Sequence, residues 1–309
     1  MLRSRKLVQY GQTSQQGIEA LLRSPAEIGE LTSRERVISI DEAIPEILRE
    51  ENARKLFLLK SDSGPLAFLI RDHGTAYSRW EISRLLGITG DGVVLIHCDF
   101  HQDLVAPNIV PRPNTIREAI DQSSKYGNLH FIVPAIYHGL IDEVFHVKPR
   151  LSPREHERNM WRLGIGPVES GKQELYFVQG SEIESLLESG FLPADVTWTK
   201  RIPVHTIPPN QLSRLKNDPR QKIFDFENDY VHSGKVDTRY FGLNENGIIR
   251  KMRGVAEELK RGIQDSGLQF HVATITLSPD FTPSRHIPQI TKDISHVLSS
   301  PEPRVLIIG

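Results

Sequence analysis

From residue 66 onward, short apolar runs alternate with turn residues and amphipathic stretches, the pattern of strands and helices in repetition. Leu66–Ile70, Val93–His97, His130–Ala135, Glu143–Val147, Glu174–Val178, Ile202–Thr206, Lys222–Phe226 and Phe270–Thr276 read as strands. Val305–Ile308 reads as a last edge strand or a packed tail. Several runs are apolar at consecutive positions, as expected of parallel strands covered on both faces. Thr75–Leu86, Ser181–Glu188 and Ile248–Ile263 read as the covering helices. The last carries an apolar stripe at Ile248, Met252, Val255, Leu259 and Ile263 with Gly267 as a stop, and Ser181 and Glu184 have capping-box spacing. The pattern predicts a three-layer α/β/α fold around a mostly parallel sheet of about eight strands.

The beginning of the chain reads differently. Residues 1 to about 35 are polar, with a short helical candidate at Gly17–Arg23, and Asp41–Glu50 reads as a helix with Asp41 as N-cap and Pro45 in its first turn. Residues 1–60 are therefore expected to form a partly helical N-terminal extension, and 61–309 the α/β domain. The least regular stretch is Lys148–Lys172, rich in Pro, Gly, Arg and Glu, where Arg154, Arg158 and Arg162 read as a solvated helix face or as the border of an open cleft.

Composition narrows the function classes. With 309 residues, 38% hydrophobic, 25% charged and a net charge of −1, the chain is neither disordered in bulk nor built for a sequence-independent grip on nucleic acid. Cys98 is the only cysteine, which excludes an internal disulfide and a cysteine-based zinc site. The basic start leads into Gln, Gly, Thr and Ser rather than an apolar signal core, and no run reaches the length of a membrane span. A cytoplasmic protein with no membrane partner is expected, and a homo-oligomer is compatible with it.

The chemistry sits where strands end. Gly92-Val93-Val94-Leu95-Ile96-His97 runs straight into Cys98-Asp99-Phe100-His101-Gln102-Asp103-Leu104. A side-chain period of two starts Asp99, His101 and Asp103 on one side, so two carboxylates and an imidazole converge on one point. Such ligands suit a hard or borderline divalent cation, and the carboxyl edge of a parallel sheet is where open α/β folds hold ligands. Lys222-Ile223-Phe224-Asp225-Phe226-Glu227-Asn228-Asp229 repeats the logic, and acids packed at a buried strand end repel one another unless a cation neutralises them. Arg71-Asp72-His73-Gly74 places a further imidazole at a third strand end.

A strand-end Asp-His, then D-x-H-x-D, then D-x-[DE] on a later strand resembles the arginase and deacetylase superfamily of metallohydrolases. The run from Arg71-Asp72-His73 through Trp80 to His97–Leu104, with Phe131–Tyr137, the Asp225 segment and Thr276-Leu277-Ser278-Pro279, is similar to the smaller arginase-like family that includes the peptide arginases. The resemblance covers roughly residues 66 to 285 and implies an arginase-like fold and two manganese ions (Mn2+). Asp99 and Asp225 would bridge both ions, His73 and Asp103 would complete one, and His101 with Glu227 the other. The chain departs from the arginase pattern in three places. Glu227 stands where Asp is commoner, Asp229 comes one residue before the third acid of arginases, and Ser278-Pro279-Asp280 replaces the glycine-rich segment with a guanidinium-gripping glutamate.

Hydrolysis of a guanidinium needs a strong nucleophile, because the group is cationic at any physiological pH and resonance-stabilised. A metal pair makes hydroxide accessible at neutral pH, and four carboxylates with two imidazoles and no thiolate favour manganese over zinc. Asp280 and Glu227 are the acids expected to hold the guanidinium fork, and His130 or His138 the acid that protonates the departing amine. The expected activity is hydrolysis of arginine to ornithine and urea, with the arginine carried in a ribosomally made precursor peptide whose leader segment docks on the enzyme. The alternatives are free arginine or agmatine as substrate, a deacetylase-like amidohydrolase, and a non-catalytic peptide-binding module.

Overall fold

The computed structural model describes residues 13–22, 35–60, 64–108, 111–149, 157–166, 174–233, 238–298 and 304–308. The strands are β1 Glu35–Ser39, β2 Leu56–Lys60, β3 Leu66–Ile70, β4 Val93–Cys98, β5 Ile141–Val147, β6 Glu157–Ile165, β7 Leu175–Gln179, β8 Thr197–Ile207, β9 Lys222–Glu227, β10 Val272–Thr276 and β11 Arg304–Ile308. The helices are α1 Thr13–Leu22, α2 Ile40–Ile47, α3 Ala76–Leu85, α4 Ile116–Asp121, α5 Ile132–Tyr137, α6 Ile183–Glu188, α7 Glu245–Ser266 and α8 Ile287–Leu298. All eleven strands form one sheet in the order β1-β11-β2-β3-β10-β9-β4-β5-β8-β6-β7. Its centre, β3-β10-β9-β4-β5-β8, is parallel, and antiparallel strands flank it on both sides.

Two apolar clusters, one on each face of this sheet, make the fold a three-layer α/β/α sandwich. Alternation along each strand divides them: Val94, Ile96, Phe224, Phe226, Ala273 and Ile275 join α2, α7 and α8 on one face. Val93, Leu95, Ile223 and Val272 join α1, α3, α4 and α5 on the other. Because both sides are covered, the central strands read as continuous apolar runs.

Helix α7 carries the expected stripe, with Met252, Val255, Leu259 and Ile263 buried, each contributing roughly 1.5–3 kcal/mol. The Asn244 side chain accepts from Gly247 N at its start, and Gly267 ends it at φ 63. A Cβ on Gly262 would lie 2.5 Å from the Pro209 carbonyl oxygen, so backbone contacts backbone there. Gly262→Ala is expected to lower stability by about 1–3 kcal/mol, read as a reduced midpoint of chemical unfolding.

Several local expectations are corrected. His130–Ala135 is not a strand: a turn leads into α5, whose first-turn Pro134 lacks only an N–H that the helix would leave unbonded, whereas a central strand would need it. Ser39, not Asp41, caps α2 in a capping box with Glu42, and Pro45 lies one turn further in. Helix α6 begins after Glu182 with no side-chain cap. β11 lies between β1 and β2, neither at an edge nor as a tail. The segment before residue 61, read as an extension, supplies β1 and β2 to the same sheet. Within the connection read as irregular, 157–165 is strand β6, where Arg158 and Arg162 share a strand face rather than a helix face; Arg154 lies outside the described residues. No helix among the described residues is long and apolar enough to cross a membrane.

Burial also tunes one histidine outside the site. His271, at the entry to β10, accepts a hydrogen bond from Lys222 N, and burial with the Lys222 charge pulls its pKa from 6.5 to about 4. A depressed histidine stabilises the fold above its unfolded pKa, and that contribution is lost as pH falls toward the folded one. Unfolding free energy is therefore expected to drop by a few kcal/mol between about pH 6.5 and pH 4, and His271→Gln to flatten this part of the profile.

Candidate metal centre

The same alternation that builds the core builds the site. On the α3 side of the sheet, Val272, Ile223, Leu95 and Val144 form an apolar row, and the next residues on that face are Thr274, Asp225, His97 and His146. Register places Thr274 beside Asp225, Asp225 beside His97, and His97 beside His146. One residue pair further along come Thr276, Glu227 and Asp99, at the carboxyl ends of β10, β9 and β4. The site is thus two polar rows laid over the end of the apolar core. Phe131 covers it from α5, with its ring 4.2 Å from that of His73, and Trp80 of α3 donates to Thr274 Oγ1.

Two groups of potential ligands share members. His73, Asp99, Asp103 and Glu227 form one, and Asp99, His101, Glu227 and Asp229 the other, each with ligand atoms within 4.8 Å of one another. Asp99 and Glu227 belong to both. In the first group His73 Nδ1 lies 3.0 Å from Glu227, 3.1 Å from Asp103 and 3.4 Å from Asp99. In the second, His101 Nδ1 lies 3.1 Å from Asp229 and 3.8 Å from Asp99. Asp103 adopts φ 51, a strained conformation for a non-glycine residue that turns its carboxylate back toward His73.

Asp225 sits one row deeper. It lies 2.7 Å from His73 Nε2 and 2.8 Å from His97 Nδ1, and it accepts from Thr274 Oγ1. A third group, His73, His97 and Asp225, is therefore closed by its own hydrogen bonds. The resemblance made Asp225 the shared acid and set Glu227 beside His101; here Glu227 belongs to both outer groups, Asp229 to the one with His101, and Asp225 to the deeper group, where it contacts His73 Nε2.

The charge balance fits divalent cations. Asp99, Asp225 and Asp229 are fully buried, and Glu227 and Asp103 nearly so, yet among the described residues the only ion pairs they form are with histidines. Asp99 Oδ2 and Glu227 Oε1 are buried without a hydrogen-bond partner. Burial, then Glu227, Asp229 and Asp103, push the Asp99 pKa well above the usual carboxylate range. Burial opposes the His73 cation, but Asp225 and Glu227 outweigh it and hold that pKa well up. His146 is held well down by burial and by His97, and its Nε2 donates to the Asp99 carbonyl over 3.0 Å.

The opening is on the His101 side, where that ring is 34% exposed while the other ligands are buried. Phe281 and Phe100 border it, with rings 5.5 and 5.2 Å from the imidazole. Burial raises the Asp72 pKa against the Arg71 guanidinium 3.2 Å away, and Asp280, Glu50 and Glu227 add to the rise. Asp280 is exposed on the turn after Ser278, whose φ of 52 and buried, unpartnered hydroxyl mark another strained position at this edge. His130 holds the loop after Asp103, with Nδ1 3.3 Å from the Val105 carbonyl. His138 does not reach the site: it caps α5 and stacks on Tyr77 at the opposite sheet edge, beside Gly139, which receives the Gly92 N–H at the start of β4. Sequence reasoning missed His97 and His146, although His97 stands two residues before Asp99 and so on the same face.

No model of a known protein family matches the chain, and no curated protein matches it. Among solved structures the chain is similar to an arginase from Medicago truncatula, at 14% identity and a TM-score of 0.38, over 75% of this chain and 58% of that one. The chain thus spans little more than half the length of that arginase.

Proposed function

We propose that the chain is a metal-dependent hydrolase that converts arginine side chains within a peptide to ornithine, releasing urea. The observation that carries this reading is the pair of four-residue ligand groups sharing Asp99 and Glu227. Bound there, two divalent ions would supply Lewis acidity and a hydroxide-level nucleophile at neutral pH. Four carboxylates and two imidazoles suit manganese. The chain's own residues then have separate tasks. Asp225 fixes the ring of His73, and Asp280, exposed at the edge of the site, is the acid offered to the substrate guanidinium. His130, on the metal-bearing side, is the proton donor to the departing ornithine amine. A peptide-borne substrate accords with the resemblance in sequence and with an opening bordered by the aromatic side chains of Phe100 and Phe281.

Elemental analysis of the purified protein, followed by urea release from arginine, agmatine and arginine-containing peptides, tests the proposal. About two manganese ions per chain and a specificity constant that rises with peptide length are expected, since remote contacts can be used to position the reacting group. One zinc per chain, or free arginine turned over as well as every peptide, would count against it.

A further inference from the structure

We propose that the open face of β6 and β8 binds an acidic peptide segment through three arginines. The two strands are antiparallel, with Arg158 opposite His205, Met160 opposite Pro203 and Arg162 opposite Arg201. Directly opposed residues share a face, so Arg158, Arg162 and Arg201 stand together, turned away from Trp161 and Leu163, which pack into the α3-side core. Together with Gln179 and Ser181 they line a cavity of about 340 Å3, and no acidic residue among the described ones lines it.

Elsewhere in the chain, several partly buried arginines are paired with acids. Arg84 and Arg112 meet Glu81, Arg71 meets Asp72, and Arg220 meets Glu143 and Asp218. Arg158, Arg162 and Arg201 have no such partner among the described residues. Like charges directly opposite on neighbouring strands destabilise a sheet, so the Arg162 and Arg201 pair is a cost that an anion would offset. A guanidinium presents a planar fork that matches a carboxylate.

The spacing selects an extended ligand. Arg158 and Arg162 lie four residues apart on a strand, about 13 Å, which one small anion does not span and an extended chain with several carboxylates does. No aromatic side chain lines the cavity to stack nucleobases, which favours a peptide over single-stranded nucleic acid. Arg158 also stands toward the carboxyl end of β8, the edge that carries the metal centre, three strand spacings or about 14 Å from β4. The arginines lie on the opposite face of the sheet from the metal centre, so a segment joining the two places rounds the carboxyl edge of β8 and β5. That the bound segment flanks the reacting arginine rests on the function proposed above.

Binding is read by fluorescence anisotropy of a labelled Glu-rich peptide lacking arginine, against its Gln counterpart and a single-stranded oligonucleotide, on the full-length metal-loaded protein. The Glu peptide is expected to bind, to weaken with added salt, and to lose about tenfold in affinity in the Arg162→Gln, Arg201→Gln double variant, with metal content unchanged. Arg158→Gln, at an exposed position, gives a second reading if the double variant fails to fold. Equal binding of the Gln peptide, unchanged affinity in the variants, or tighter binding of the oligonucleotide would overturn the inference. Urea release from arginine peptides without acidic-peptide binding would overturn it and leave the function standing. Acidic-peptide binding without urea from any substrate would uphold the surface and overturn the function.

Discussion

Asp99→Asn is expected to cost the protein both of its divalent ions and its hydrolytic activity together. Asp99 is shared by the two ligand groups, is fully buried, and has an oxygen with no hydrogen-bond partner among the described residues. The amide keeps the shape and the packing at the end of β4 but removes the charge, so the fold is expected to survive with affinity for both ions lost by well over the ~100-fold typical of an outer partner. Glu227→Gln should behave alike, because Glu227 is the other shared residue. Metal content by elemental analysis beside thermal unfolding separates loss of the site from loss of the fold. A variant of Asp99 that retains one full equivalent of metal would contradict the shared role.

The two remaining acids of the β9 segment are expected to part company. Asp229→Asn should remove one ion and keep the other, since Asp229 belongs only to the group around His101. Asp225→Asn should keep both positions but weaken metal binding roughly 10–100-fold, since Asp225 contacts the far nitrogen of His73 and not the open side of the ring. The register implied by the sequence resemblance makes the opposite forecast, with Asp225 indispensable and Asp229 dispensable. Titration of the two apo variants with manganese, followed by isothermal calorimetry, decides between them. Loss of all metal in Asp225→Asn would restore the sequence-derived register.

Most of the site was legible because it is local. Asp99, His101 and Asp103 are spaced by two on one strand end, and Asp225, Glu227 and Asp229 repeat that spacing, so their convergence needs only the strand period. Which acid of the second run reaches the metal level was not legible, because it depends on how far β9 slides along β4. The structure pairs His97 with Asp225, leaving Asp99 level with Glu227. No single-strand pattern carries that registration. His138 was misplaced for a related reason. A strand over 130–135 would have carried it past the sheet, whereas α5 turns the chain back so that it precedes β5 at the opposite edge.

Periodicity, strand-end acids and composition by themselves determined an α/β protein with a mostly parallel central sheet, a buried cluster of acids and imidazoles at strand ends, and helix α7 with its stop at Gly267, since each depends on neighbours within a few residues in the chain. Tertiary structure alone decided the lateral order of the strands, the incorporation of β1, β2 and β11 into one sheet, the placing of Asp225 behind His73, and the meeting of Arg162 with Arg201. These are contacts between segments far apart in sequence, set by how whole faces bury against one another, and a strand's own pattern says which face it buries but not which neighbour it buries it beside.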